Sequence, residues 1–250
     1  MSDVSNARRD IAGKAVFLSG ASGGIGQELI RAFCDAGAAE IIAASRHPIA
    51  SERPQVRSYR LDVTADAEVA EAGRQFAERV DILVNCSGAN SNSRIFAPPT
   101  LAEARQEMEV NYFALLSMVR AFGPAMKRRK SGAIVNMLSM VSLVNIPLMG
   151  SYCASKAAAW SLTQAIRAEL RPHGVLVCAA FPSATETAMT AHLTIPKLKP
   201  AAVADAVIAA IRDGVEDAQE GLIHDHVVAG LRTDPKAIER QMAARLGPTP

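Results

Sequence analysis

Short apolar runs alternate with longer helical patterns along most of the chain. The runs are apolar on both faces and are bounded by polar residues or glycine, which is typical of buried strands. They cover residues 14–18, 40–44, 57–61, 81–85, 133–138 and 176–181. Amphipathic patterns predict helices over residues 27–36, 66–79, 101–127, 152–171 and 201–214. Repeated strand-then-helix units favour right-handed βαβ connections, so we expect an α/β fold with a doubly wound parallel sheet and helices on both faces.

The remaining segments indicate how the chain is organised. The first dozen residues are polar and predict a flexible tail over residues 1–12. No linker or repeat divides the rest, so residues 13–250 are interpreted as a single domain. From about residue 233 the pattern predicts a helical tail with a proline-containing end. A chain of 250 residues with 49% hydrophobic and 21% charged residues is long enough to bury one such core.

Charge and cysteine content disfavour several classes of function. A formal net charge of +2 is too small to indicate a polyanion partner, and the basic run over residues 127–130 is interpreted as a solvated loop rather than a nucleic-acid surface. No apolar run reaches the roughly eighteen residues of a membrane span, so no membrane partner is expected. The cysteines have neither CxxC nor zinc spacing, so no metal site is predicted. Their spacing and an N-terminus unlike a signal peptide predict a cytoplasmic protein.

A glycine-rich segment, SGASGGIG over residues 19–26, lies between the first predicted strand and the first predicted helix. In an open α/β sheet this turn lies at the ligand-binding edge, where a helix N-terminus attracts phosphate. Gly20 would make the turn, Gly24 would let pyrophosphate approach the backbone, and Gly26 would let the helix pack closely. The spacing alone leaves two interpretations open, a phosphate-binding loop and an ordinary glycine turn.

A second motif, SYCASK, places Tyr152 and Lys156 four residues apart at the start of a predicted helix, so both side chains share one face. Alone, this pattern is usually ordinary surface. Ser139 lies thirteen residues upstream at the end of a predicted buried strand, where functional groups of such sheets collect. With these motifs in this order, the chain from about residue 13 to about residue 210 resembles the short-chain dehydrogenase/reductase family. The resemblance implies a Rossmann-type fold.

The resemblance also implies a nicotinamide cofactor. SGASGGIG is similar to the TGxxxGxG phosphate loop of the family, LDVT carries its adenine-contacting pair, and PSATET is similar to the PGxxxT segment that holds the nicotinamide amide. NCSG stands where the family usually has NNAG. The implied cofactor contacts are Gly20, Ser22, Gly24, Ile25, Gly26, Ser45, Arg46, Asp62, Val63, Asn85, Gly88, Tyr152, Lys156, Pro182, Thr185 and Thr187. For Asp62 the alternative is a loop carboxylate preceding a helix.

A catalytic tetrad of Asn111, Ser139, Tyr152 and Lys156 follows from the same resemblance. Tyr152 would give a proton to a carbonyl oxygen during reduction, or take one from an alcohol during oxidation. Bringing the phenol from a pKa near 10 to neutrality requires about 4 kcal/mol, which one ammonium at about 4 Å supplies at a dielectric near 20. Lys156 is therefore expected to lower the pKa of Tyr152. Ser139 would orient the substrate oxygen, and Asn111 would support Lys156 through water or, alternatively, bond only to backbone.

The end of the second strand, AASRHP, bears on the choice of cofactor. In the family an acidic residue there selects NAD, whereas a basic residue just after it favours the extra phosphate of NADP. Ser45 takes the acidic position and Arg46 follows it, so we expect NADP(H) to be favoured and NAD(H) to be possible. The alternative is that Arg46 only faces solvent.

The expected partner is a small-molecule carbonyl or alcohol substrate. By family position its pocket is mainly apolar and draws on Phe96, Leu143, Ile146, Met149, Met189 and Leu193, under a short lid near residues 183–200. The second candidate function is a non-catalytic NADP(H)-sensing regulator, which the complete tetrad disfavours. The family's usual dimer helices, here residues 101–127 and 152–171, predict a homodimer or homotetramer, with a monomer as the alternative.

Overall fold

In the computed structural model, which describes residues 9–97, 100–220 and 222–244, seven strands form one parallel sheet. The strands are β1 (Ala15–Ser19), β2 (Glu40–Ser45), β3 (Val56–Arg60), β4 (Ile82–Asn85), β5 (Ala133–Met137), β6 (Leu176–Pro182) and β7 (Asp217–Glu220). Their order is β3-β2-β1-β4-β5-β6-β7. The chain thus winds outward from β1 in both directions, which confirms the predicted doubly wound, Rossmann-type sheet.

Helices cover both faces of the sheet. Those of the described chain are α1 (Gly24–Asp35), α2 (Asp66–Phe76), α3 (Ala102–Met108), α4 (Ala114–Arg129), α5 (Gly150–Leu170), α6 (Pro200–Asp213), α7 (Leu222–Thr233) and α8 (Pro235–Ala243). Phe33 of α1 and Val207 of α6 belong to the core on one face. Met118 of α4 and Ile166 of α5 belong to the core on the other face. The two cores enclose the central strands, whose continuous apolar sequence is explained by burial on both sides.

The strand register brings the ends of the central strands to one level. Ser19 at the end of β1 pairs with Ala44 of β2 and with Asn85 of β4, and Asn85 pairs with Asn136 of β5. Because parallel strands end at the same edge of a sheet, the loops that follow β1, β4 and β5 meet there. The segments that carry the sequence motifs are thereby gathered at the carboxyl edge.

Two elements near the C-terminus, β7 and α7, are absent from the sequence prediction. β7 reads DAQE and lies at the edge of the sheet, where it pairs with β6. Arg167 of α5 anchors it through a 2.7 Å ion pair with Asp217. A short polar edge strand has no apolar run that reveals it, and its position depends on this long-range contact.

The C-terminal helices pack on the site end of the domain. Val227 of α7 and Ile238 of α8 are buried in a third apolar cluster that also contains Val141 and Tyr152. The helical tail predicted from about residue 233 corresponds to α8, and residues 245–250 lie outside the described residues. These two helices therefore pack against the end of the domain that carries Tyr152.

The segment before β1 differs in part from its prediction. Of the flexible tail expected over residues 1–12, residues 1–8 lie outside the described residues. Ile11 is fully buried, and the backbone N–H of Arg9 donates to the Arg212 carbonyl at 2.8 Å, so these two residues anchor the segment to the domain, while Asp10 and Ala12 are exposed. One apolar side chain in a polar segment provides this anchor. The single-domain organisation over residues 13–250 stays a prediction. None of the described helices combines the length and apolar character needed to cross a membrane.

Candidate active site

A cleft of about 950 Å³ opens at the carboxyl edge of the sheet. Most of the residues expected from the sequence line it: Gly20, Ser22, Gly24, Ile25, Gly26, Ser45, Arg46, Asp62, Val63, Gly88, Ser139, Tyr152, Lys156, Pro182, Thr185 and Thr187. Asn85 and Asn111 lie behind this surface and line a smaller cavity instead. The fold therefore brings the candidate cofactor loop and the candidate catalytic residues into one cleft.

The glycine loop has no room for side chains at two positions. Gly20 has a φ of +70°, and a Cβ there would lie 2.6 Å from the carbonyl carbon of Cys86. A Cβ on Gly26 would lie 2.3 Å from the Gly20 carbonyl oxygen. Within the described ranges no side chain caps the N-terminus of α1, whose N-cap residue is Gly23. The loop thus presents bare backbone and a helix N-terminus to the cleft, which suits a phosphate group.

Tyr152 and Lys156 lie on the first turns of α5, as their spacing predicts. Lys156 is only 4% exposed, and its Nζ donates to the Met137 carbonyl at 2.8 Å. The Tyr152 phenol hydrogen-bonds the side chain of Ser139. The Ser139 hydroxyl also reaches the Pro182 carbonyl at 3.3 Å, and its backbone N–H donates to Ser142 Oγ at 3.3 Å. The serine, tyrosine and lysine are thus held together at one end of the cleft.

Asn111 lies in a π-helical turn, Glu109–Phe113, that interrupts the predicted helix over residues 101–127. The turn widens the backbone, because the Ala114 N–H bonds to the carbonyl of Glu109, five residues back. Asn111 Oδ1 accepts from the Ala89 N–H at 3.0 Å, and Nδ2 donates to the Ala89 carbonyl at 2.8 Å and to Ser155 Oγ at 2.9 Å. Asn111 therefore ties the loop after β4 to α5.

A cavity of about 10 Å³ lies between Asn85, Asn111 and Lys156. Among the described residues, the buried Oδ1 of Asn85 has no hydrogen-bond partner. A polar cavity of this size accommodates roughly one water molecule. The arrangement fits the expectation that Asn111 supports Lys156 through water, which stays a prediction.

Burial controls the ionisation of the tyrosine and the lysine. Removal from water raises the pKa of Tyr152 above its ordinary value, and the hydrogen bond with Ser139 offsets this only in part. Burial likewise lowers the pKa of Lys156 to about 8. The expectation that Lys156 lowers the pKa of Tyr152 is therefore wrong for this arrangement. The ammonium lies 6.0 Å from the centre of the phenol ring and is bonded to Met137, so the loss of hydration prevails.

Replacing the buried lysine should stabilise the protein. Below pH 8 the folded chain must hold a charged Lys156 in a site without water, which lowers the free energy of unfolding. Between pH 8 and the unfolded pKa near 10.5 only the unfolded chain keeps that proton, so this destabilisation diminishes as pH rises. Lys156→Met is expected to raise the free energy of unfolding at pH 7 by on the order of 2 kcal/mol, after allowing for the lost hydrogen bond. Urea unfolding at pH 7 and above pH 10 measures this gain, which should shrink as pH rises. Lys127→Met, on the exposed end of α4, is the control, and a less stable Lys156→Met protein at pH 7 would contradict the argument.

At the other end of the cleft lie the residues that follow β2 and β3. Arg46 is exposed and close enough to Asp62 to help lower the pKa of that carboxyl, although hydrogen bonds from Thr64 are the main cause. Asp62 Oδ1 accepts from the Thr64 N–H at 3.0 Å and from its hydroxyl at 2.7 Å. Asp62 therefore fulfils the loop role named as its alternative and also lines the cleft.

The lid is closed at its base. Thr185 pairs with Leu198, and the Glu186 N–H donates to the Leu198 carbonyl at 2.9 Å. Lys199 adds a 2.6 Å ion pair with Glu186. Above the base, the lid approaches the glycine loop, because a Cβ on Gly24 would lie 3.0 Å from Cγ2 of Thr187. The two ends of the lid are thereby joined to each other, and Thr187 lies against the predicted cofactor loop.

The predicted apolar pocket is found in part. Ile146, Met149, Met189 and Leu193 line the cleft. Leu143 instead packs against the core that contains Met118 and Ile166. Phe96 is 99% exposed and is not among the lining residues, because the loop after β4 turns its side chain to solvent.

Glu107 is a site residue that the sequence analysis does not single out. It is 1% exposed, and its Oε1 accepts from the Ser91 N–H at 2.8 Å and from the Ser91 hydroxyl at 2.7 Å. A glutamate in a helical pattern normally indicates solvent-facing surface. Its position four residues before Asn111, on the same helix face, is the available sequence signal. Glu107 holds the polar loop after β4 against α3.

Comparison with known proteins agrees with this geometry. The family described as short chain dehydrogenase matches residues 14–197. Galactitol 2-dehydrogenase (L-tagatose-forming) of Cereibacter sphaeroides is 40% identical over 191 residues, covering 71% of this chain and 74% of that protein. The 3-ketodihydrosphingosine reductase of Bacteroides thetaiotaomicron is 28% identical over 186 residues, covering 73% and 68%. A short chain dehydrogenase from Burkholderia cenocepacia J2315, solved in complex with NADP, has a TM-score of 0.89 at 35% identity, covering 94% of this chain and 99% of that chain.

Proposed function

Because the chain belongs to the short-chain dehydrogenase/reductase family, whose members are oxidoreductases acting on CH–OH or C=O groups, we propose that it is an NADP(H)-dependent enzyme that reduces an aldehyde or ketone or oxidises the corresponding alcohol. The observation that carries the proposal is the meeting of the glycine loop with Ser139, Tyr152 and Lys156 in one cleft. No observation favours the regulatory alternative.

The residues of the cleft fit a nicotinamide dinucleotide. The bare backbone of Gly20 and Gly26 and the N-terminus of α1 would hold its phosphates. Ser45, Arg46, Asp62 and Val63 would hold the adenosine end, and Gly88, Pro182, Thr185 and Thr187 would surround the nicotinamide end. Asn85, which lies behind the cleft, would support the loop after β4 without touching the cofactor. When bound, the nicotinamide supplies or accepts a hydride.

The chain's own residues would position the substrate and move the proton. A raised pKa keeps the Tyr152 hydroxyl protonated, which is the form that donates a proton to a carbonyl oxygen. Ser139, already bonded to that phenol, would hold the same oxygen beside it. Lys156, whose pKa is lowered to about 8, would return a proton to Tyr152. Water in the small cavity beside Asn111 would then restore the proton on Lys156. Removal of any one of these groups would slow proton transfer.

Turnover with a substrate panel tests the proposal directly. NADPH and NADH consumption would be followed with aldehydes, ketones and ketoses, and NADP⁺ reduction with alcohols and polyols. The names of the two similar enzymes justify including a ketose with its polyol and a long-chain ketone. Turnover of some carbonyl or alcohol with NADP(H) supports the proposal. Cofactor binding without turnover of any compound would contradict it.

Arg46→Ala should weaken NADPH binding far more than NADH binding. A charge-assisted hydrogen bond to the extra phosphate accounts for about tenfold to hundredfold in affinity. Fluorescence titration of both cofactors gives the ratio, and Arg57→Ala, an exposed arginine on β3, is the matched control. Equal losses for NADPH and NADH in Arg46→Ala would show that Arg46 does not select the cofactor.

We also propose that the protein assembles as a homodimer or homotetramer through α4 and α5. Ala157 is exposed on α5 and Ala158 is half-buried, so these small side chains allow close approach of a second helix. Ala159 is fully buried in its own domain and is not available for this contact. Sedimentation velocity would distinguish these assemblies from a monomer.

A further inference from the structure

The catalytic end of the cleft has a chemical character that narrows the substrate. Resting on the function proposed above, we infer that the substrate is a neutral carbonyl compound or its alcohol, with an unbranched apolar chain that runs from Tyr152 along the lid to solvent. Three independent features of the cleft support this: its distribution of charge, the internal bonding of its polar loop, and its apolar wall.

Few charged side chains line the cleft, and the one near Tyr152 is already bonded inside the protein. Among the described residues that line it, the charged side chains are Arg46, Asp62 and Lys156. Arg46 and Asp62 follow β2 and β3, at the proposed adenosine end, and Lys156 is buried against the Met137 carbonyl. A carboxylate or phosphate on the substrate would find near Tyr152 only Lys156, which is buried and bonded to the Met137 carbonyl, and would lose its hydration there. The substrate is therefore uncharged at this end.

The polar loop after β4 is bonded within itself and to Glu107 of α3. Asn90 Oδ1 accepts from the Asn92 N–H at 2.9 Å, and Asn90 Nδ2 donates to Asn92 Oδ1 at 3.1 Å. The N–H and the hydroxyl of Ser91 both donate to the buried Glu107. A sugar-like substrate requires several such groups to face its hydroxyls, because a buried unpaired hydroxyl is costly. These groups are instead satisfied inside the protein, which favours an apolar substrate.

An apolar wall leads from the reaction site to the surface. Ile146, Leu148 and Met149 line the cleft on the segment between Ser139 and Tyr152. Met189 and Ile195 of the lid also line it, yet they are 37% and 42% exposed. Lid side chains that are both in the cleft and open to solvent mark its mouth. An unbranched chain along this wall would cover apolar surface that water now contacts.

A homologous series of straight-chain aldehydes or 2-alkanones, from four to ten carbons and below micelle-forming concentrations, tests the inference with NADPH. We expect kcat/KM to rise about fourfold for each added methylene that the wall covers. A flat dependence on chain length, or faster turnover of a polyhydroxylated carbonyl compound, would overturn the inference while leaving the proposed function intact. Absence of turnover at every length, including the polyhydroxylated compound, would overturn both.

A variant at the mouth locates the path of the chain. Ile195→Glu places a charge on the exposed part of the wall and should lower kcat/KM at least tenfold for the ten-carbon substrate, but less than twofold for the four-carbon substrate. Val215→Glu is the control, because Val215 is a similarly exposed aliphatic residue. It lies just before β7, at the amino ends of the strands, whereas the cleft lies at their carboxyl ends. NADPH affinity should be unchanged in both variants. An equal loss for short and long substrates in Ile195→Glu would contradict the proposed path.

Discussion

Replacing Tyr152 by phenylalanine should abolish turnover while leaving NADPH binding intact. The change removes a single oxygen from a side chain that is 9% exposed, so the ring keeps its packing in the apolar cluster with Val141. It also removes the proton donor, and a positioned donor contributes roughly 10² to 10⁴ in rate. We expect kcat to fall at least about a hundredfold, with the dissociation constant of NADPH changed less than about threefold.

Tyr59→Phe is the matched control for this experiment. Tyr59 lies on β3 and packs edge-on against Phe76, with ring centres 5.0 Å apart, and it is not among the residues that line the cleft. The same loss of one phenolic oxygen there should leave kcat unchanged. Near-normal turnover by Tyr152→Phe would mean that another group donates the proton. A parallel loss in both variants would indicate a general structural defect instead.

Gly26→Ala should cause the second large effect, a loss of cofactor affinity. A methyl group on Gly26 would overlap the Gly20 carbonyl oxygen, because its carbon would lie 2.3 Å from it. The loop between β1 and α1 must then shift by a substantial fraction of an ångström. The shifted backbone would lose one or two hydrogen bonds to the cofactor phosphates, each contributing about 1.5–3 kcal/mol, so we expect NADPH to bind about a hundredfold more weakly. Fluorescence titration measures the change.

Two further glycine variants separate local from general effects. Gly23→Ala, in the same loop, places its methyl at an ordinary 3.4 Å from the Gly20 carbonyl oxygen and should bind NADPH almost normally. Gly73→Ala, on α2, places its methyl 2.9 Å from the Cβ of Ala121 and should lower the melting temperature without weakening cofactor binding. If Gly26→Ala loses stability but keeps its affinity, the loop does not hold the cofactor.

The central strands and the motif positions can be predicted from sequence because they depend on local patterns. β1, β2, β4, β5 and β6 are short apolar runs, since both of their faces are buried. β3 lies at the edge of the sheet and is largely exposed, so its sequence VRSYR is not the fully buried run that the pattern predicts. Tyr152 and Lys156 share a helix face because helical spacing requires it. The glycine loop is visible because positive φ and close packing leave glycine as the only suitable residue at Gly20.

The features that sequence analysis misses depend on distant contacts. β7 is polar and is positioned by Arg167 of α5, fifty residues earlier in the chain. The π-helical turn at Asn111 adds one residue to a single helical turn, and one such shift of phase is difficult to recognise in an apolar pattern. Glu107 has the sequence context of a surface glutamate, and its contact with Ser91, sixteen residues earlier, appears only in the folded chain. The direction of the pKa shift of Tyr152 depends on burial, which the spacing to Lys156 does not reveal.

The fixed base of the lid has a consequence for how the enzyme can diversify. Leu198 pairs with Thr185, so the segment between them leaves and rejoins the domain at one place. Because the entropic cost of closing a loop grows only slowly with its length, residues can be added or removed there without moving β6 or α6. The sheet, the glycine loop and Tyr152 would be inherited unchanged. New substrate ranges can thus arise by exchange of residues 188–197, while Thr187 stays against the glycine loop and the catalytic chemistry is unchanged.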